Sequence, residues 1–267
     1  MTCWSAPDIV AYRDTGNNTG GISPACSELL DSLDLPLCSR IPQAAWVLTA
    51  HGEELALTRP DGVKLTIDFN AGKARHRAAE SGKGIRTLAR ALGLNAYRRQ
   101  FGELPAVIDA TGGLGQDAWA LASLGGRVTV IEQHPIVHAL LANALHRAAG
   151  HGEAGDIARR IVLLHGLAEK LLPELDGHAI YLDPMYPERK RKKADSRKGM
   201  QFLHALLGPS GSCDDGQLLP AALQCAVSRV VVKRPRGAEP LPGAEQWRGQ
   251  RTCLESPNTR YDVYHRR

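Results

Sequence analysis

The sequence predicts an α/β fold in which a mostly parallel sheet follows a small N-terminal region that contains β-strands. From residue 104 to residue 267, short apolar runs that suit buried strands alternate with segments long enough for helices. Two of these runs, Ala106–Ile108 and Arg127–Ile131, flank a glycine turn and a helix, which predicts a βαβ unit. The run Arg260–His265 alternates as an edge strand does, and we expect it to be antiparallel. We therefore divide the chain into an N-terminal region, 1–103, and a cofactor-binding domain, 104–267.

The composition bounds the class of protein. The chain has 267 residues with 33 basic and 28 acidic side chains, a net charge of +5, so the grouping of charge matters more than its total. Its six cysteines include no Cys-x-x-Cys pair, which disfavours a disulfide framework or a zinc site and predicts a cytoplasmic location. We find neither a signal-peptide pattern nor an apolar stretch long enough to span a membrane. We therefore expect no metal and no membrane partner.

The N-terminal region is predicted to contain a small amount of regular structure. Residues 1–40 are irregular by composition, apart from a short helix within Cys26–Leu37. Residues 45–69 contain three short strand-like runs with a strong turn signal at Pro60-Asp61-Gly62, which predicts an antiparallel meander. A helix is expected over Ile85–Leu92.

The turn between the first two strands of the second domain is the first candidate site. It reads Asp109-Ala110-Thr111-Gly112-Gly113-Leu114-Gly115 and precedes a predicted helix over Asp117–Leu124. Glycines permit positive φ and a close approach of a ligand, and Glu132 ends the next strand, where an acid can hold ribose hydroxyls. The sequence therefore predicts a site for an adenosine-like cofactor, built on Asp109, Gly112, Gly113, Gly115 and Glu132. Two alternatives are a nicotinamide site, since 113–118 fits G-x-G-x-x-A, and a tight turn without a ligand.

The second candidate site follows the predicted strand Ala179–Leu182 and reads Asp183-Pro184-Met185-Tyr186-Pro187. The exocyclic amine of a base is a poor nucleophile, because its lone pair is delocalised into the ring. The Asp183 carboxylate and the Pro184 carbonyl can accept its two N–H hydrogens and stabilise the charge that develops during attack. Tyr186 can stack on the base. The alternative is a proline-rich loop after a buried strand.

Three groups of basic residues are candidates for contact with nucleic acid. The first follows the meander, and there the sequence alone favours a solvated turn over contact with a phosphate backbone. The second follows the proline-rich loop, and that position favours phosphate binding over a bare solvated loop, because each neutralised phosphate releases counterions. The third ends the apolar run Arg229–Val232 and is expected to contact the RNA or flank its base. The groups are Arg75, His76 and Arg77; Arg189, Lys190, Arg191, Lys192 and Lys193; and Lys233 and Arg234.

These motifs resemble those of class I S-adenosylmethionine-dependent methyltransferases, and D-P-M-Y is similar to the D/N-P-P-Y/F motif of amino-group nucleic-acid methyltransferases. The chain is identified as a member of the RsmJ family on DATGGLGQDA at 109–118, IEQHP at 131–135, YLDPMYP at 181–187 and VVVKRP at 230–235. The resemblance implies a Rossmann-like sheet of seven strands with the last antiparallel. It also implies that S-adenosyl-L-methionine is used to methylate the N2 amine of guanosine 1516 in 16S ribosomal RNA, as naked RNA or in the small subunit.

The resemblance also assigns site residues. Family contacts with S-adenosyl-L-methionine fall on Gln116, Asp117, Glu132, Gln133 and Asp183, and on the pair Leu167 and Ala168 after the third predicted strand. The catalytic assignments are Asp183, Pro184 and Tyr186. Three alternatives stay open: a methyltransferase for adenine N6 or a protein glutamine, a nicotinamide-dependent oxidoreductase, and a non-catalytic RNA-binding protein.

Overall fold

The fold is taken from a computed structural model that describes residues 9–13, 21–42, 45–70, 84–185, 197–208 and 216–266. These residues divide into two compact units. The first unit contains described residues within 1–68, 135–147 and 185–213, and the second contains those within 69–134, 148–184 and 214–267. The predicted boundary between residues 103 and 104 stays a prediction.

Strands and helices are numbered in chain order over the described residues. The strands are β1 (Ile9–Arg13), β2 (Leu37–Cys38), β3 (Trp46–His51), β4 (Glu54–Thr58), β5 (Lys64–Leu65), β6 (Ala106–Asp109), β7 (Arg127–Glu132), β8 (Ile161–His165), β9 (Ala179–Leu182), β10 (Arg229–Pro235), β11 (Gln250–Glu255) and β12 (Thr259–His265). The helices are α1 (Pro24–Asp31), α2 (Gly84–Ala91), α3 (Leu94–Phe101), α4 (Gln116–Ser123), α5 (Pro135–Ala149), α6 (Gly152–Ala158), α7 (Ala168–Leu171), α8 (Arg197–Leu207) and α9 (Leu218–Gln224). None of the helices in these ranges has the length and apolar character needed to span a membrane.

The first unit is built on a five-stranded sheet in the order β2-β1-β3-β4-β5. Strands β3, β4 and β5 pair antiparallel, in the arrangement predicted for residues 45–69. Strand β1 is parallel to both β2 and β3, and it lies within the stretch 1–40 that was expected to be irregular. That expectation is corrected because β1 has only five residues and its parallel pairing is long-range, so it leaves little local signal.

Asn143 of α5 fixes this helix within the first unit. Its side chain is 1% exposed, accepts from the Leu55 amide at 3.0 Å and donates to the Glu53 carbonyl at 2.8 Å. The helix begins at Pro135, a residue suited to the first helical position because its missing N–H would have no partner there. A buried amide with both its acceptor and its donor satisfied adds specificity to the packing of α5.

The second unit is built on a seven-stranded sheet in the order β11-β12-β10-β9-β6-β7-β8. Strands β10, β9, β6, β7 and β8 pair parallel in that sequence. Strand β12 is antiparallel to both of its neighbours, so β11 points the same way as the parallel strands. The predicted mostly parallel sheet with an antiparallel last strand is confirmed.

Two predictions about the second unit are wrong in detail. The run 260–265 was expected at the edge, but β12 lies between β10 and β11, and four of its residues in a row are buried. The edge strand is β11, whose exposed and half-buried side chains gave no apolar signal. Residues 150–155 were expected to be a loop, but α6 begins at Gly152.

One hydrophobic cluster of the second unit lies against a face of the seven-stranded sheet. Alternate apolar residues of β9 and β10, such as Ile180 and Val232, pack with Leu219 and Ala222 of α9, and all four are buried. This packing keeps β9 and β10 adjacent along their length. Their carboxyl ends therefore stay side by side, which is where the candidate site is built.

Candidate active site

The carboxyl ends of parallel strands bring the predicted site residues to one edge of the sheet. Strand β6 ends at Asp109, β7 ends at Glu132, and Asp183 follows β9. In the register of β9 and β10, Leu182 is opposite Val232, so the next residues along the two strands are Asp183 and Lys233. This edge is the usual place for ligands in open α/β sheets.

The glycine turn packs directly against β7. The Gly112 amide donates to the Ile131 carbonyl at 2.9 Å, and a Cβ at Gly112 would lie 2.6 Å from Cγ1 of Val130. Gly113 and Gly115 have φ of +52° and +70°, and Gly115 is the N-cap residue of α4. Since side chains are disfavoured by lack of space at Gly112 and by positive φ at the other two positions, the turn needs its glycines.

Glu132 links the end of β7 to this turn. Its carboxylate accepts from the Gly113 amide at 2.6 Å and from the His134 amide at 2.7 Å. Burial raises the pKa of Glu132 to about 7, although both backbone hydrogen bonds act to lower it. The carboxylate oxygens keep further lone pairs, so they can also accept from the hydroxyls of a ribose.

Thr111 connects the end of β6 to the loop after β9. Its hydroxyl donates to Asp109 Oδ1 at 3.3 Å and accepts from the Asp183 amide at 2.7 Å. Asp109 is 2% exposed, and burial, followed by the charge of Asp117, raises the pKa of Asp109 to about 7. The backbone at Asp183 is thus held in place from the neighbouring strand.

Lys233 forms the ionic centre of the site. Its Nζ lies 2.8 Å from Oδ2 of Asp117 and 2.8 Å from Oδ2 of Asp183. Burial alone lowers the pKa of Lys233, but Asp183 and Asp117 outweigh it, so the pKa is raised and the ammonium stays charged at neutral pH. Burial raises the pKa of Asp183, and Lys233 opposes that rise. The Tyr181 hydroxyl completes the cluster by donating to Asp117 Oδ2 at 2.6 Å.

The residues expected to face the adenosine lie at the end of β7, at the start of α4 and after β8. Gln133 and Gln116 are exposed, at the end of β7 and at the start of α4. The Gly166 amide donates to the Glu132 carbonyl at 3.1 Å, which places the following Leu167 and Ala168 beside β7. The roles of these four residues as cofactor contacts stay predictions.

Two histidines lie near this edge. Nε2 of His165, at the end of β8, lies 3.2 Å from the Gln133 carbonyl oxygen. His134 is 5% exposed, and burial lowers its pKa to about 4, so its imidazole is neutral at physiological pH.

The candidate RNA contacts are only partly within the described residues. Arg75, His76, Arg77, Tyr186 and the run from Arg189 to Lys193 lie outside them. Arg234 is 2% exposed, and its guanidinium donates to the Glu239 carbonyl at 2.6 and 3.0 Å. Lys233 is engaged by two carboxylates, so both side chains of this third group are held within the fold.

Sequence reasoning missed the contacts that organise the site. Thr111 and Tyr181 were not singled out, and Lys233 was assigned to RNA rather than to Asp117 and Asp183. Tyr261 was missed as well, although it lies opposite Lys233 in β12 and burial raises its pKa to about 12. The only sequence signal was a lysine at the end of an apolar strand, and its partners become evident once the strand order is known.

The charges of the site distinguish between two kinds of cofactor. Two acids, Asp117 and Asp183, interact electrostatically with the Lys233 ammonium, and a third, Asp109, interacts with both of these acids. Such a site suits a cofactor with a positively charged sulfonium and amino group better than one with an anionic pyrophosphate. Among the described residues, His, Cys, Asp and Glu side chains form no group of three or more that could hold a metal ion.

Comparison with known proteins agrees with this chemistry. A family model described as "Putative SAM-dependent methyltransferase" matches residues 29–266. The chain is 45% identical over 218 residues to ribosomal RNA small subunit methyltransferase J of Hydrogenovibrio crunogenus, over 79% of this chain and 73% of that protein. It is 40% identical over 243 residues to the protein of the same name from Thioalkalivibrio sulfidiphilus, over 88% of this chain and 91% of that protein.

A solved structure supports the same relationship. The crystal structure of a SAM-dependent methyltransferase from Neisseria gonorrhoeae matches this fold with a TM-score of 0.72 and 33% sequence identity. The match covers 96% of this chain and 95% of that chain, so it includes both the five-stranded and the seven-stranded sheets.

Proposed function

The chain belongs to the ribosomal RNA small subunit methyltransferase J family, and from this premise we propose that it transfers a methyl group from S-adenosyl-L-methionine to 16S ribosomal RNA. The acceptor we propose is the exocyclic N2 amine of one guanosine, with guanosine 1516 as the target that the family resemblance implies. Either naked RNA or the small ribosomal subunit can present this guanosine.

The observation that carries the proposal is the fixed position of Asp183 at the end of β9. Its amide donates to Thr111 Oγ1 at 2.7 Å, and its carboxylate is held by Lys233 at 2.8 Å. Because its backbone amide and its carboxylate are both held, Asp183 loses little entropy when it accepts an N–H from a substrate amine. Asp183 can therefore orient an amine beside the glycine turn.

The reaction needs orientation more than it needs a strong base. S-adenosyl-L-methionine supplies a methyl group on a sulfonium, which is a good leaving group. The Asp183 carboxylate and the Pro184 carbonyl accept the two amine hydrogens and stabilise the positive charge that develops on nitrogen. Tyr186, which lies outside the described residues, is proposed to stack on the flipped base.

The cofactor is proposed to lie along the ends of β6, β7 and β8. Glu132 is placed to accept from its ribose hydroxyls. Gln116 and Gln133, which are both exposed, are proposed as further cofactor contacts. Leu167 and Ala168 are proposed to face the adenine through the backbone and apolar contact, since neither side chain can hydrogen-bond. The carboxylates of Asp109 and Asp117 offset the positive charge of the amino acid part.

Calorimetric titration tests the cofactor. We expect S-adenosylhomocysteine to bind the purified protein and NADH to show no saturable heat. The Glu132→Gln variant should bind S-adenosylhomocysteine at least about tenfold more weakly, because it lacks one charge-assisted acceptor. Binding of NADH but not of S-adenosylhomocysteine would contradict the proposal.

Methyl transfer tests the substrate. Small ribosomal subunits that lack the modification, and protein-free 16S RNA, are incubated with the enzyme and S-adenosyl-L-methionine that carries a labelled methyl group. The RNA is digested and the labelled nucleoside is identified. We expect N2-methylguanosine, whereas label in N6-methyladenosine, or label only in added protein, would contradict the assigned acceptor.

A further inference from the structure

Lys233 has a role that its place at the end of β10 alone does not indicate. Its side chain is 28% exposed, and its ammonium lies 2.8 Å from one oxygen of Asp117 and 2.8 Å from one oxygen of Asp183. These acids come from two different elements, α4 and the loop after β9. A single ammonium thus joins the predicted cofactor helix to the predicted amine-binding loop.

The contact with Asp183 engages Oδ2 in particular. No hydrogen bond among the described residues engages the other carboxylate oxygen, Oδ1, so this oxygen can accept an N–H from a substrate. The Asp183 backbone is held separately by Thr111. With its amide and one of its carboxylate oxygens fixed, rotation of the Asp183 side chain is restricted.

We propose that Lys233 is a positioning residue for methyl transfer: it clamps Asp183 to Asp117 and leaves Oδ1 for the target amine. This inference rests on the proposed function of the site. Lys233 does not act as the base, since its ammonium stays protonated. The proton that the amine loses when its nitrogen bonds the methyl group goes to Asp183 or to water.

The charges around Asp183 determine the effect of removing this clamp. Burial raises the pKa of Asp183 most, Lys233 lowers it, and Asp117 raises it. Without Lys233, the pKa of Asp183 rises further, and the carboxyl group takes up a proton at a higher pH. Within the described residues, the titratable and charged groups that face it are Lys233 and Arg234 on β10, Asp117 on α4, Asp109 on β6, Tyr181 on β9 and Tyr261 on β12.

The test compares Lys233→Met, which removes the charge, with Lys233→Arg, which retains it. Single-turnover methyl transfer to small ribosomal subunits is measured from pH 5.5 to 9 at saturating S-adenosyl-L-methionine. In Lys233→Met the acid limb of the rate profile should move up by about 1–3 pH units, the effect of losing a close opposite charge. Lys233→Arg should keep the acid limb within about half a pH unit of the wild type.

A second readout needs no turnover. Carbon-13 NMR of the Asp carboxyl groups in RNA-free protein, with the Asp183 signal assigned from Asp183→Asn, gives the titration midpoint of Asp183 directly. This midpoint should rise in Lys233→Met and stay near the wild-type value in Lys233→Arg. Unchanged midpoints and rate profiles in Lys233→Met would overturn the proposal. Loss of S-adenosylhomocysteine binding in that variant, with an unshifted midpoint, would also overturn it.

Asp117→Asn keeps the test decisive if Lys233→Met does not fold. Asparagine retains the shape and can still accept from Tyr181, but it removes a negative charge that raises the pKa of Asp183. The acid limb should therefore move down, opposite to Lys233→Met, and an upward movement would overturn the proposal. Absence of transfer by the wild type would refute the proposed function, whereas a shifted Asp183 midpoint in the same preparation would still support the clamp.

Discussion

The carboxyl group of Asp109 couples the candidate site to the stability of the fold. It is buried at the end of β6, where its Oδ1 accepts from the amide and the hydroxyl of Thr111, at 3.1 and 3.3 Å. Burial raises the pKa of Asp109 from 3.8 to about 7. The folded state therefore holds a proton on Asp109 more tightly than the unfolded state does.

This pKa predicts a pH-dependent stability. The contribution of Asp109 is fully present below about pH 4, and it is lost as the pH rises to about 7, where the folded protein must carry a buried charge. The loss is of the order of a few kcal/mol. Asp109→Asn cannot ionise, so thermal unfolding should show it gaining stability relative to the wild type between pH 5 and pH 8.

The control for this measurement is Asp176→Asn, which changes an exposed aspartate of the same unit. Its melting temperature should follow the wild-type pH dependence. If the melting temperatures of Asp109→Asn and the wild type differ by the same amount at every pH, the substitution changes packing only. That result would contradict the assigned burial of charge.

At the residue scale, the sequence predicted the acids but not their partners. Asp109, Glu132 and Asp183 each end or follow an apolar run, so their common edge followed from the βαβ pattern. Lys233 also follows such a run, but its partner depends on β10 lying beside β9, which no local pattern encodes. The local sequence around a lysine is the same whether its ammonium lies on the surface or between two carboxylates.

At the scale of elements, the glycine turn and β7 are in close contact. A methyl group at Gly112 would come 2.6 Å from Val130 Cγ1 and 3.0 Å from the Ile131 carbonyl oxygen, so either the turn or the strand must shift. We predict that Gly112→Ala destabilises the protein by about 1–3 kcal/mol. The same shift would move the Gly113 amide, which donates to Glu132, so the affinity for S-adenosylhomocysteine should fall as well.

Urea unfolding and calorimetric titration measure these two effects. Gly237→Ala is the matched control, because a Cβ there would have no atom within 4 Å. Gly237→Ala should have the same urea midpoint of unfolding as the wild type, and it should bind S-adenosylhomocysteine with wild-type affinity. A Gly112→Ala variant with both properties intact would show that the turn does not depend on close contact with β7.

The predictability of an element depended on where its side chains lie. Strands β6, β7, β9 and β10 are buried and apolar, so they were recognised from composition alone. Strand β11 alternates exposed and half-buried positions and carries arginine and glutamate, so it resembled a loop. It is held instead by tertiary contacts, including the ion pair of Arg251 with the buried Asp262 of β12, 3.2 Å apart.

At the scale of the whole molecule, the distribution of basic residues predicts how the protein binds RNA. The run from Arg189 to Lys193 follows the amine-binding loop in sequence and contains no acid. We predict that Lys192→Gln combined with Lys193→Gln weakens RNA binding and reduces its salt dependence. The slope of log K against log salt is negative. For single-stranded RNA it should become less negative by about 0.7 for each phosphate that the variant no longer neutralises.

Filter binding over a range of salt concentrations checks this prediction. The control is the double variant Arg127→Gln and Arg159→Gln, which removes the same charge at the amino ends of β7 and β8. The control should keep the wild-type slope, and both double variants should bind S-adenosylhomocysteine normally. Equal slopes for the two double variants would mean that net charge, rather than the basic run, determines RNA affinity.

The fold class of the whole chain was predictable because four strands of the seven-stranded sheet, β6 to β9, repeat one local pattern, a strand followed by a helix. The five-stranded sheet was only partly predictable. Its meander is local in sequence, whereas β1 pairs with β3 across more than thirty residues, with α1 and β2 in between. Such long-range pairing is set by the assembled sheet rather than by local sequence.

The most direct test of the central claim is the single-turnover rate of methyl transfer by Asp183→Ala on small ribosomal subunits. Thermal unfolding confirms that the variant is folded, and Asp176→Ala serves as the control on the same unit. If Asp183 orients the target amine, its removal should lower the rate by about 100-fold or more, as for other groups that stabilise developing charge. Transfer by Asp183→Ala at close to the wild-type rate would contradict the assignment of the site at the end of β9.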